Sequence, residues 1–132
     1  MKTIFGALAL GLLVGCTEPI NGKYDVDIEY KAQAQADWWE STGNLNTSKE
    51  EFRKEYLEDL KTWQFDAEIE YPVLTVAISY PDKPTKTVVF NVNRIDRNRY
   101  IVTKYRDPTK MEFIYDPDGR TFSSPTDRYI KR

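Results

Sequence analysis

Three kinds of residue in this sequence could do chemistry: a single thiol at Cys16, carboxylates at short intervals and arginines at short intervals. Asp25, Asp27 and Glu29 alternate, and in a strand they would share one side, where three carboxylates can hold a hard cation. No glycine-bearing loop accompanies them. Asp27 also has a simpler role as the N-cap of a following helix, so no metal site is expected. Asp116-Pro117-Asp118-Gly119-Arg120 begins like a calcium-binding loop but lacks the later ligands, and Asp127 stands where a glutamate is required. It reads as a tight turn. Arg94, Arg97 and Arg99, with Arg128, Lys131 and Arg132 at the C-terminus, could meet phosphates of lipid headgroups or lipopolysaccharide. Read as plain structure, they are a solvated loop and a frayed end. Trp38 and Trp39 are adjacent, and on a helix neighbouring side chains point about 100° apart. One indole can then be core and the other an exposed docking anchor.

Catalysis finds little footing. The chain has no histidine, which removes the commonest general base and metal ligand. It also has no glycine-rich phosphate loop, so neither an enzyme nor a cofactor is expected. The net charge of -2 is too small to point to nucleic acid as a partner.

The N-terminus is more informative. Residues 1–16 read MKTIFGALALGLLVGC, with Lys2 as a positive start and an apolar stretch from Ile4 to Val14. The stretch has the length of a signal-peptide core and is shorter than the ~20 residues of a spanning helix. It ends in Leu13-Val14-Gly15-Cys16. That quartet resembles the lipobox of bacterial lipoproteins. The resemblance covers only these first residues. It implies cleavage between Gly15 and Cys16, a diacylglycerol on the Cys16 sulfur and further acylation of the new amino group. Two or three chains anchor stably, whereas one binds reversibly. In that family an aspartate after the cysteine goes with inner-membrane retention. Thr17 stands there instead, so the outer membrane, on its periplasmic face, is favoured in a Gram-negative host. No second cysteine exists, so the exported body must rely on its core without a disulfide.

The chain then divides into a signal peptide (1–15), a lipidated tether (16–22) and one α+β domain (23–132). Within the domain, Lys23–Val26 reads as a short strand. Ile28, Ala32, Ala36 and Trp39 fall on one helical face, which predicts a helix from about Ile28 to Ser41, ended by Thr42-Gly43-Asn44. Strand alternation from Tyr24 to Tyr30 competes with that reading. Ser48-Lys49-Glu50-Glu51 is a capping box, and Phe52, Tyr56, Leu57, Leu60 and Trp63 follow at helical spacing. Glu50 and Lys54 add an i,i+4 pair.

After Trp63 the hydrophobic period changes from 3.6 to 2. Alternating runs around Phe65–Tyr71, Val73–Tyr80, Val88–Val92, Tyr100–Lys104, Met111–Tyr115 and Arg120–Phe122 are separated by turn residues. The expected architecture is an antiparallel meander of about five or six strands packed with one or two N-terminal helices. Such a sheet can curl into a partial barrel resembling a lipocalin in form. The expected function is a non-enzymatic binding module held at the bacterial cell envelope by its lipid anchor, with an envelope protein or a small apolar ligand as partner. Two alternatives are an inhibitory, immunity or phage superinfection-exclusion lipoprotein and a structural assembly factor.

Overall fold

The computed structural model describes residues Glu18–Arg132. Its elements, in chain order, are β1 (Gly22–Val26), α1 (Ile28–Thr42), α2 (Lys49–Leu60), β2 (Gln64–Glu70), β3 (Val73–Ser79) and β4 (Lys86–Asp96). They continue with β5 (Arg99–Lys104), β6 (Lys110–Asp116), β7 (Thr121–Ser123) and β8 (Arg128–Lys131). Every strand pairs antiparallel with its neighbour in order, and β8 returns to β1 to close the barrel. The α+β class stands, but the partial meander of five or six strands is corrected to eight strands and full closure. The tail around Arg128 and Lys131 is not a frayed end. Its backbone is a barrel stave, with Tyr24 opposite Lys131 and Val26 opposite Tyr129.

Closure follows from the side-chain pattern. An eight-stranded barrel has an interior just wide enough for side chains to fill. Here the inward positions are Tyr24, Ala67, Ile69, Leu74, Val76, Val92, Tyr100, Val102, Phe113, Tyr115, Phe122 and Tyr129, all buried. Their rings pack in stacked and edge-to-face pairs. Phe113 and Phe122 lie with centroids 4.7 Å apart, and Tyr100 meets Phe122 edge-on at 5.6 Å. Each such pair adds about 0.5–1.5 kcal/mol to simple area burial.

The helices form a hairpin inserted between β1 and β2, and they pack on each other rather than across the sheet. The physical reason is closure itself: a barrel that fills its own interior needs no helical cover. Ala32 and Ala36 are fully buried, as the helical spacing requires. Asp27 caps α1 by accepting a hydrogen bond from the Tyr30 amide at 3.0 Å, and Gly43 ends it in the left-handed region at φ 75°. Ser48 caps α2 by accepting from the Glu51 amide. The reciprocal half of the capping box is replaced: the Glu51 carboxylate accepts from the Thr47 hydroxyl at 2.6 Å. Glu50 pairs with Arg53 one turn on, not with Lys54. Leu60 is buried at the end of α2, and Trp63 meets Tyr80 edge-on at 4.7 Å where the chain enters the barrel.

Phe122 is the one inward side chain of the short strand β7. Phe122→Ala is expected to destabilise the domain by about 3–5 kcal/mol, read as a lowered midpoint in urea unfolding. Asp27→Ala removes the α1 cap and is expected to cost about 1 kcal/mol in the same assay.

Candidate functional site

Strand registers define two ends of the barrel. One carries the β2–β3 turn, the β4–β5 turn and the start of β1; the other carries the end of β1, the start of β2 and the β7–β8 turn. The first end is sealed by the residues that lead into β1. Ile20 is fully buried in the core, and its carbonyl accepts a hydrogen bond from the Tyr24 hydroxyl at 2.5 Å. The Asn21 side chain accepts from the Tyr71 amide at 2.7 Å, and the Pro19 carbonyl accepts from the Lys131 ammonium at 2.7 Å. Glu18 is ion-paired with Arg94, whose guanidinium also lies over the Tyr100 ring at 5.1 Å. Burial pushes the Tyr100 hydroxyl up to about 12, with Glu18 nearby adding to the rise and Arg94 opposing it. Within the segment read as a lipidated tether (16–22), Glu18–Asn21 is thus a seated plug.

The opposite end is open. A cavity of about 180 Å³ there is lined by Val26, Trp63, Phe65, Val76, Ile78, Val88, Phe90 and Tyr129, with Lys31 and Asp127 at its polar side. The Lys31 ammonium donates to Asp127 Oδ1 at 2.9 Å and ties the first turn of α1 to the β7–β8 turn. The same turn is held by the Tyr30 hydroxyl donating to the Ser124 carbonyl at 2.6 Å and by Arg128 pairing with Asp27 at 2.9 Å. A hydrocarbon cavity of about 150 Å³ holds a benzene-sized guest, so this space suits a compact apolar group. A larger depression beside Glu68, Glu70, Val73 and Thr75 lies on the outer face of the sheet, with carboxylates in its wall.

The residues singled out in the sequence are not brought together. Gly15 and Cys16 lie outside the described residues. Trp38 is 51% exposed and Trp39 half-buried, in edge-to-face contact at 4.8 Å on α1. Their helix leaves the barrel from the open end, whereas Arg94, Arg97 and Arg99 sit at the sealed end. Arg99 is neutralised by Glu112 at 2.8 Å and by Asp96 at 3.4 Å, and Arg94 by Glu18, so the arginines do not form an open phosphate cradle. At the C-terminus Arg132 pairs with Asp25, and Arg120 donates to the Arg132 carbonyl. Asp25 and Asp27 therefore serve ion pairs and a cap. Among the described residues no group of three histidine, cysteine or acidic side chains converges on one point. Asp116–Arg120 is a turn in which the Asp116 side chain accepts from the Asp118 amide.

Sequence reading missed the pocket. Phe65, Ile78, Val88 and Phe90 belong to three separate alternating runs, and alternation within a run cannot say that the apolar faces of the three meet or that part of them stays uncovered. Lys31 and Asp127 are ninety-six positions apart and carry no local signal. No family model matches the chain, and no curated protein or solved structure matches it.

The Tyr24 hydroxyl is one of the donors that fasten the plug. Tyr24→Phe leaves the Ile20 carbonyl without its partner and is expected to destabilise the domain by about 1–3 kcal/mol. Faster amide hydrogen exchange confined to Ile20–Lys23 would distinguish a loosened plug from a general loss of packing.

Proposed function

We propose that this protein is a lipid-anchored binding module of the bacterial cell envelope, tethered at the sealed end of its barrel and working through the open one. The observation that carries the reading is the opposition of these ends. Glu18–Asn21 plugs one with side-chain and backbone hydrogen bonds, and the apolar pocket opens at the other. The lipobox-like quartet Leu13-Val14-Gly15-Cys16 supports acylation of Cys16. Thr17 then stands alone between the acylated residue and the seated Glu18. Two residues span about 7 Å at most, so the plug holds the sealed end against the headgroups. The pocket consequently faces away from the bilayer, where a ligand or a partner can reach it. Binding of this kind requires no catalytic group.

The exposed Trp38 favours a protein partner as a second reading, since a large aromatic left in water on a helix is the kind of anchor that interfaces use. It is compatible with the inhibitory and assembly roles and does not choose between them.

Intact-mass analysis of protein from the membrane fraction is expected to show a chain beginning at Cys16 and carrying two or three acyl groups. Cys16→Ala is expected to leave the membrane fraction. A chain that starts elsewhere, or an unmodified thiol, would overturn the anchor. Orientation is checked separately, with a fluorophore on Arg97→Cys or on Tyr105→Cys in vesicles containing a headgroup-linked quencher. Strong quenching is expected at position 97, on the sealed end, and weak quenching at position 105, on the β5–β6 turn of the open end.

A further inference from the structure

The pocket carries chemistry that narrows what it takes. Most of its wall is aliphatic or aromatic, and its volume of about 180 Å³ suits a guest of about six to eight heavy atoms. Two hydrogen-bond donors with capacity to spare line this space, Tyr129 and Lys31. Tyr129 is 7% exposed, lines the pocket, and its hydroxyl has no hydrogen-bond partner among the described residues. That hydroxyl is nonetheless not sealed off: no fully enclosed polar side-chain atom among the described residues lacks a partner. The hydroxyl is therefore reached by solvent, and Tyr129 forms part of the wall of this pocket. Burial raises the Tyr129 hydroxyl well above its ordinary range, so it remains a donor at every physiological pH. The Lys31 ammonium has three N–H donors and uses one, on Asp127.

Asp127 Oδ1 is taken by Lys31 and Oδ2 by the Thr126 hydroxyl at 3.0 Å. The Lys31–Asp127 pair is balanced, so an anionic guest meets the carboxylate and a cationic guest meets the ammonium. A neutral group with a carbonyl acceptor meets neither penalty, and its oxygen can satisfy a hydroxyl that has no protein partner among the described residues.

We propose that the open-end pocket binds the short apolar body of an uncharged carbonyl compound, an acyl amide or ester, whose carbonyl oxygen accepts hydrogen bonds from Tyr129 and Lys31. The assignment deepens the binding-module reading and rests on it.

The test uses the full acylated chain in phosphatidylcholine vesicles, with Trp38→Phe and Trp39→Phe so that Trp63, in the pocket wall, is the remaining indole. Hexanamide, hexanoate and hexylammonium are titrated as probes of one chain length and three head charges. Hexanamide is expected to shift Trp63 emission saturably, with half-saturation on the order of 1 mM, as befits so small a ligand. The two charged probes are expected to bind at least fivefold more weakly. Tyr129→Phe and Lys31→Met should each weaken hexanamide at least threefold, and Val88→Phe, which fills the space, should abolish the shift. Far-UV circular dichroism confirms that each variant is folded. Tyr129→Phe removes only a hydroxyl with no partner among the described residues, so it keeps the proposal falsifiable if the bulkier changes unfold the chain. Charged probes that bind as well as hexanamide, or hexanamide binding indifferent to Tyr129→Phe and Lys31→Met, overturns the assignment. Absence of a saturable shift also overturns it. Flotation of the same vesicles reports anchoring independently, so loss of the ligand and loss of the anchor are separate results.

Discussion

The pairing of β1 with β8 is the constraint on which the rest of the structure depends. It joins Tyr24–Val26 to Tyr129–Lys131 across almost the whole length of the described chain. Without it the sheet would have two open edges, each a row of unpaired amides and carbonyls prone to pairing with other chains. With it the edges vanish and the inward side chains of all eight strands face one another. The contact is also expensive in chain entropy, because it closes the longest loop in the fold. What offsets that loss is the aromatic interior, where Tyr24, Tyr100, Phe113, Phe122 and Tyr129 come together only once the last strand is in place.

Closure also makes the two ends inequivalent. A barrel whose interior is filled along its length can differ only at its mouths. At one mouth the incoming chain supplies its own stopper: Ile20 accepts a hydrogen bond from Tyr24, and its neighbours Asn21 and Pro19 accept from Tyr71 and Lys131. At the other mouth the helical hairpin departs, and its first turn bonds to the β7–β8 turn through Tyr30 and Lys31. The hairpin leaves part of the apolar wall near Trp63, Phe65 and Phe90 uncovered. The asymmetry thus comes from where the chain enters and leaves the barrel, and any polarity of function follows from it.

Local elements were largely legible in the sequence. Asp27 and Ser48 announce helix starts because a short side-chain oxygen can meet an otherwise orphaned amide. Gly43 announces an end because only glycine enters the left-handed region at little cost. The change of hydrophobic period after Trp63 marks the switch from helix to strand, since each backbone geometry repeats its faces at its own interval. The eighth strand was not legible. Arg128-Tyr129-Ile130-Lys131 has one inward residue between charged ones, and its strand character exists only because β1 and β7 flank it. The ion pairs of the arginines were not legible for a related reason: Glu18 reaches Arg94 and Glu112 reaches Arg99 from other parts of the chain.

By itself, then, the sequence determined the α+β character, the helix caps and the inward faces of most strands. The lipobox-like quartet on which the proposed acylation rests is likewise local, because each of these features depends on residues within a few positions of one another. Tertiary structure alone decided that the sheet closes, that Glu18–Asn21 is a plug, and that Lys31, Asp127 and Tyr129 surround one pocket. Those relations join residues separated by about fifty to more than a hundred positions. No periodicity or motif records them, since they arise from where the backbone returns in space.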